Sequence, residues 1–254
     1  MAQFSAQFND HWLLGGARTP LVDYCGALAE LSPIDMGIKV GRAALERSGV
    51  AGSDIDSVVA ASMAQASFDA YLLPRHIGLY SGVPLEVPAI LVQRICGSGF
   101  EIIRQAADQI SLGYANIALV VGTESMSRNP ICAYTHRSGF KLGSPVEFKD
   151  FLWEALDDPA AEVSMIQTAE NLAKKYGITR AEVDAFAAMS FERALKAQAE
   201  GFHAGEIVPV TTESFELAGY QPRGIKLPRK VTAVDRDTHP RPSPIEALSG
   251  LRTV

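Results

Sequence analysis

The first half of the chain alternates short apolar runs with amphipathic stretches. HWLLGGA (11–17) is apolar, is stopped by glycines and predicts a strand. PIDMGIKVGRAALERSG (33–49) follows Ser32, places apolar residues at Ile34, Ile38, Ala44 and Leu45, and stops at Gly49. That is a helix with a Ser/Pro start and a glycine stop. IDSVVAASM (55–63) predicts a buried strand, LLPRHIGLYSG (72–82) a helix, and VPAILVQRI (87–95) a strand. GSGFEIIRQAADQISLG (97–113) predicts a helix and NIALVVGTE (116–124) a strand. Strands alternating with helices predict an α/β fold, a mostly parallel sheet with helices on both faces.

After Glu124 the pattern changes. Residues 125–148 are polar and punctuated by Gly, Pro and Ser, as in an excursion from the core. Two strong helices follow. Residues 162–176 end at Gly177; residues 179–200 begin TRAE, a capping box of Thr179 and Glu182. In the second helix Val183, Phe186, Ala187, Phe191, Ala194 and Leu195 share one face. EIVPV (206–210) predicts a short strand, and the Pro- and charge-rich residues 221–244 a loop.

Composition narrows the classes. Of 254 residues, 47% are hydrophobic and 20% charged, enough apolar material for a sizeable core. A net charge of −6 argues against duplex nucleic acid, which needs a Lys/Arg excess. No run approaches the about 18 apolar residues of a membrane span. MAQFSAQFND lacks the basic and apolar regions of a secretory signal. The cysteines, Cys25, Cys96 and Cys132, are odd in number and form no CxxC, so a reducing cytoplasm is expected rather than a disulfide framework. The five histidines show no metal-ligand spacing.

Cys96 stands between a strand and a helix. As an isolated cysteine it reads as a small buried hydrophobe. Its place argues for a nucleophile. Ligands of open α/β sheets bind at the carboxyl ends of strands. A helix start favours thiolate over thiol. Gly97 and Gly99 open the approach to the sulfur, and Ser98 reads as the helix cap. Arg94 either adds positive potential or is solvated.

ICGSGFEII resembles the nucleophile segment of thiolases, the acyl-CoA C-acyltransferases. GGARTPLVDYCGAL (15–28) is similar to that family's first strand and turn. VVGTESMSRNP (120–130) is similar to its Gly-Glu-Ser-Met-Ser turn, with Thr123 inserted between Gly and Glu. TAENLAKKYGITRAEVDAFAAMS (168–190) resembles the helix pair of the thiolase loop domain, GFHAGEIVPV (201–210) the strand after it, and HPRPSPIEALSGLR (239–252) the return to the core. The resemblance implies a thiolase-like N-terminal half at 1–124, an inserted CoA-binding loop domain at 125–245, and a return toward the core at 246–254, with the C-terminal half absent.

It also implies chemistry. Thiolases make or cleave a carbon–carbon bond between acyl groups carried on coenzyme A, through a cysteine acyl-enzyme. Cys96 would be the nucleophile and its backbone N–H an oxyanion donor. Met165 would line the pantetheine channel and Arg241 would meet the CoA phosphates. No tightly bound cofactor is implied; CoA and acyl-CoA are substrates. The family's Asn-Glu, Gly-His-Pro and Cys-Gly-Gly-Gly segments do not occur in residues 131–254. Gln93 stands where the family usually has Asn. Ile166 stands where it has Gly, which crowds the pantetheine path. Arg223, Lys226, Arg229, Lys230, Arg236 and Arg241 read either as a solvated loop or as attraction for CoA phosphates. Cys25 and Cys132 read as structural.

Three readings follow: an acyltransferase, a non-catalytic acyl-CoA-binding half-subunit, and an inactive truncated thiolase. Ketoacyl synthases share fold and nucleophile, but the helix pair at 168–199 argues for thiolase. A lone half would leave Phe100, Ile102, Ile103, Ala106 and Ile110 partly uncovered, so self-association is expected, as a homodimer or homotetramer or with a chain supplying the other half.

Overall fold

The computed structural model describes residues 7–64, 67–134 and 136–253. Residues 1–6, on which the reading of a signal-free start partly rests, lie outside the described residues. The chain gathers into two units. The first comprises residues 1–20, 24–128 and 206–235, and the second residues 21–23, 129–205 and 236–254. Residues 206–235, which the sequence reading places within 125–245, group with the first.

The first unit holds α1 (Pro33–Ser48), β1 (Ser57–Ala61), α2 (Leu73–Tyr80), β2 (Ala89–Leu91), α3 (Ser98–Ser111) and β3 (Ala118–Gly122). The sheet order is β2-β1-β3, and both pairings are parallel: Val59 lies opposite Ile90 on one side and Val120 on the other. Every residue of β1 is buried, Ser57 together with the apolar run 58–61, as a central strand requires in a sheet covered on both faces. Val59 and Ala61 pack with Ile102 and Ala106 of α3. On the other face α1 and α2 approach closely because glycines leave room. A Cβ on Gly37 would collide with Ile77, and one on Gly78 would lie 2.9 Å from Val58 Cγ2. Ser32 Oγ accepts from the Ile34 N–H at the start of α1, and Gly49 ends it at φ +68°.

HWLLGGA does not form a strand. Arg18 alone pairs, donating to the Glu206 carbonyl at 2.9 Å and accepting from the Val208 N–H at 2.8 Å. Leu13 is 86% exposed. The reason is the want of a neighbour: between residues 12–15 and the outer edge of β3 lies a cleft of about 650 Å3, floored by Leu45, Ile103 and Ala106.

Residues 221–244, read as loop, contain two short strands. Arg223–Ile225 pairs antiparallel with Glu213–Phe215, and Ala233–Val234 with Val210–Thr211. Phe215, Ile225 and Val210 are fully buried, which holds these pieces against the first unit's core despite the surrounding prolines and charges. EIVPV is strand only from Val210.

Among its elements the second unit has α4 (Phe151–Glu154), α5 (Met165–Tyr176), α6 (Arg180–Ala199) and α7 (Ile245–Ser249). The Thr179/Glu182 capping box forms as read, and α5 begins with a second, Ser164/Gln167. The apolar face of α6 is not a core: Phe186 is 68% exposed, and Asp184 is the buried residue of this helix, held by Arg180 Nε at 2.8 Å. No helix among the described residues is long and apolar enough to cross a membrane.

Candidate active site

The last ladder bond beside β2 runs from the Val92 N–H to the Ala60 carbonyl. Past it the chain turns sharply. Gly97 N–H donates to the Arg94 carbonyl at 3.0 Å, and Ser98 N–H to the Ile95 carbonyl at 3.1 Å. Ser98 does not cap the helix. Its Oγ accepts from the Arg94 N–H and donates to the Ile95 carbonyl, both at 2.7 Å, closing the turn. Gly97 is the N-cap of α3 and offers no side chain to the first-turn N–H groups, which keeps the positive end of the helix dipole open at Cys96.

Ile95 is held at φ +46°. That region disfavours a β-branched residue, at a cost on the order of 1–3 kcal/mol. The bonds through Ser98 hold it there, and the consequence is to lift the next residue out of the chain path. Cys96 is exposed rather than buried, so the small-hydrophobe reading of this cysteine does not describe it. Among the described residues its backbone N–H meets no backbone acceptor. A Cβ on Gly99 would meet nothing within 4 Å, leaving the approach clear.

Beside Cys96 lies a cavity of about 270 Å3. Ile95, Ser98 and Gly99 form the side carrying the cysteine. Ala61 and Met63 come from the end of β1, and Gly122, Thr123 and Glu124 from the end of β3. The cavity therefore stands at the carboxyl ends of parallel strands, where α/β sheets bind ligands.

The charge around the turn is already committed. Arg94 Nη1 donates to Glu101 Oε2 at 3.0 Å, and Arg104 reaches the other oxygen through Nε at 2.9 Å. The Arg104 hydrogen bond, with Gln105 and Arg94 adding to it, holds the Glu101 carboxyl at about 2, so it is ionised at neutral pH. Arg94 is thus an ion-pair partner of α3 and not a bare cation beside the sulfur.

The other candidate residues lie in the second unit. Met165 opens α5 and is 50% exposed, with the exposed Ile166 beside it. The Arg241 guanidinium sits 5.5 Å from the centroid of the Phe191 ring, whose other neighbour is His239. Of the cation run, Arg223 is taken out of consideration for phosphates. It donates to Asp35 Oδ1 at 2.7 Å and to Asp69 Oδ2 at 2.8 Å in a mostly buried cluster of the first unit. Lys226, Arg229, Lys230 and Arg236 are exposed. Cys25, read as structural, is exposed at φ +58°, its N–H donating to Ser127 Oγ. Cys132 is half-buried.

Two cavity residues, Met63 and Glu124, were not assigned to the site from sequence. The signal for them is their place two residues past the ends of β1 and β3, neighbouring strands of the sheet.

Comparison with known proteins completes the assignment. The sequence profile described as "Thiolase, N-terminal domain" matches residues 12–254. Mitochondrial 3-ketoacyl-CoA thiolase of Bos taurus is 37% identical over 244 residues, covering 96% of this chain and 58% of that protein. Beta-ketothiolase BktB of Cupriavidus necator is 37% identical over 201 residues, 79% of this chain and 51% of its own. The crystal structure of human mitochondrial 3-ketoacyl-CoA thiolase in complex with CoA superposes with a TM-score of 0.83 at 35% identity, over 94% of this chain and 56% of that one. Bacillus anthracis acetyl-CoA acetyltransferase gives 0.84 at 34% identity, over 94% and 57%. The chain spans little more than half the length of these relatives. A match over nearly all its residues, agreeing with an exposed cysteine at the strand–helix turn, makes this chain a member of the thiolase family by its N-terminal domain.

Proposed function

We propose that Cys96 accepts an acyl group from an acyl-CoA thioester, the acyl-transfer half-reaction of a thiolase. The observation that carries this reading is the exposed Cys96, raised on the Ile95 turn at an uncapped helix start and facing a cavity at the strand ends. In that step the Cys96 sulfur bonds to the acyl carbon, and the carbonyl oxygen becomes an oxyanion beside the Cys96 N–H. The carbon–sulfur bond to CoA then breaks, and the thiol proton ends on the departing CoA sulfur.

Condensation or thiolytic cleavage needs a further acid/base, which the family resemblance places in segments not found in residues 131–254. What residues 1–254 are proposed to supply is the first half-reaction. The wider setting we infer is fatty acyl degradation or synthesis, including β-oxidation, in the cytoplasm, in a homo-oligomer or with a chain that carries the remaining groups. Phe100, 83% exposed on α3, supports such a partner. Residues 125–245 are proposed to bind CoA, with Met165 beside the pantetheine and Arg241 toward the phosphates.

Intact-protein mass spectrometry after brief incubation with acetyl-CoA tests this. The expected result is a gain of one acetyl group in the wild type and none in Cys96→Ala. An unmodified wild type whose Cys96 still alkylates would overturn the acyl-transfer reading.

A further inference from the structure

The wall of the Cys96 cavity opposite the cysteine is built in an unusual way. The β1–β3 ladder ends with the Thr123 N–H on the Ala61 carbonyl, at 2.9 Å. Beyond it residues 62–64 are neither strand nor helix. Side chains hold them instead. Glu124 Oε2 accepts from Ser62 Oγ at 3.1 Å and from the Ala64 N–H at 2.9 Å, while its Oε1 accepts from the Ser125 N–H at 3.1 Å. From the β2 side, Gln93 Nε2 donates to the Met63 carbonyl at 3.0 Å. Met63 is therefore gripped through its own carbonyl and through the next N–H, by side chains that leave the ends of two different strands. It is half-buried and lines the cavity.

A carboxylate accepting backbone N–H and hydroxyl bonds makes a stronger anchor than a neutral acceptor. Gln93 adds a fixed donor from the segment that leads to Cys96, so the distance between Met63 and the cysteine turn is set by side-chain length. What projects from this stiff grip is an unbranched, adaptable thioether. A held backbone under a side chain of limited reach is how a pocket measures length.

We propose that Glu124 and Gln93 are positioning residues that fix Met63 as the wall limiting how long a group the Cys96 cavity accepts. As a statement about acyl chains, this rests on the acyl-transfer reading above and gives it a substrate class: short acyl-CoA is favoured over long. As a statement about the cavity, it can be read without CoA.

The test measures the rate of Cys96 alkylation, by peptide mass spectrometry, with iodoacetamide and with N-hexyl iodoacetamide. Taking the ratio of the two rates cancels any general change in thiol exposure. Met63→Ala is expected to raise the long-to-short ratio by roughly tenfold, the scale at which apolar pockets discriminate chain length. Met63→Leu, nearly equal in volume, should keep the wild-type ratio. Glu124→Gln, which sets an amide donor against the donors Glu124 now receives, should raise the ratio in the same direction and less.

An unchanged ratio in Met63→Ala would overturn Met63 as the limiting wall. A changed ratio there with none in Glu124→Gln would overturn the positioning role. The same proteins are then offered acetyl-CoA and octanoyl-CoA. A shift in the alkylation ratio with no acyl-enzyme from either thioester would refute acyl transfer and leave the cavity wall standing. An acyl-enzyme whose chain-length preference ignores Met63→Ala would do the reverse.

Discussion

The two units differ in what holds them together. Among the described residues every buried apolar side chain belongs to the first unit, from Leu28 to Val234. The second unit buries Asp184 and leaves Trp153, Tyr176, Phe186 and Phe202 largely in solvent. Yet its helices are the better capped: α5 and α6 both start with complete capping boxes, and α5 stops at Gly177 in the left-handed region. α2 of the first unit has no side-chain cap. Local devices contribute about 1 kcal/mol each, whereas a buried aliphatic side chain contributes several times that. Helix formation and core formation are thus separable in this chain, and the candidate nucleophile stands on the cored unit.

Four measurements would break or sharpen that contrast. The largest effect is expected from Ile38→Ala, at a fully buried position of α1. It should cost about 2–5 kcal/mol in urea unfolding. Phe186→Ala in the second unit should change stability by under about 0.5 kcal/mol. Equal costs would mean that the second unit has a core after all.

The next effect is one of pH. Burial pushes the Asp69 carboxyl up. Hydrogen bonds from Ser32, Ser67 and Arg223, with the Arg128 charge, outweigh it and bring Asp69 to about 2. A depressed folded value stabilises above the unfolded value and is lost as pH falls through the folded one. The first unit should therefore lose roughly 2 kcal/mol between about pH 4 and pH 2. Asp35 runs the other way, because burial outweighs Arg223 and raises it. Asp69→Asn should flatten the acid limb in urea titrations; an unaltered limb would place the acid sensitivity elsewhere.

Smaller still, Thr179→Ala removes the hydroxyl that accepts from the Glu182 N–H. It should cost about 1 kcal/mol, confined to α6 in hydrogen exchange. Smallest is Arg241→Ala. It should weaken CoA binding by roughly threefold to tenfold by calorimetry, the scale of one exposed charge-assisted contact. Unchanged affinity would remove Arg241 from the CoA site.

Much of this was legible because the relevant signals are local. Ser32, Pro33 and Gly49 bracket α1; Thr179 and Glu182 start α6; the apolar run of residues 58–61 makes most of the buried central strand. The failures are mostly non-local, with Ser98 the local exception. HWLLGGA has a strand's composition, but a strand needs a partner, and the adjoining edge is across a cleft. Arg223 looked like a free cation because Asp35 and Asp69, which hold it, are far off in sequence. Ser98 looked like a cap because a serine before a helix usually is one; here it bonds backward to Arg94 and Ile95. The Cys96 position was readable from the strand-to-helix transition. The wall opposite it was not, because Glu124, Gln93 and Met63 converge only once three parallel strands lie side by side.

The outer edge of β3, which pairs with no strand among the described residues, also has a consequence in time. A ribosome adding about 5–20 residues each second needs on the order of 10 s to go from the end of β3 to the last residue of this sequence. During that interval, as in the folded chain, the sheet presents the edge of β3 beside Leu13 and Leu14, which are 86% and 60% exposed. An open strand edge next to exposed apolar side chains is a template for the wrong chain as readily as for the right one. The yield of this protein in a cell is therefore expected to follow chaperone supply during synthesis more closely than the stability of the finished core.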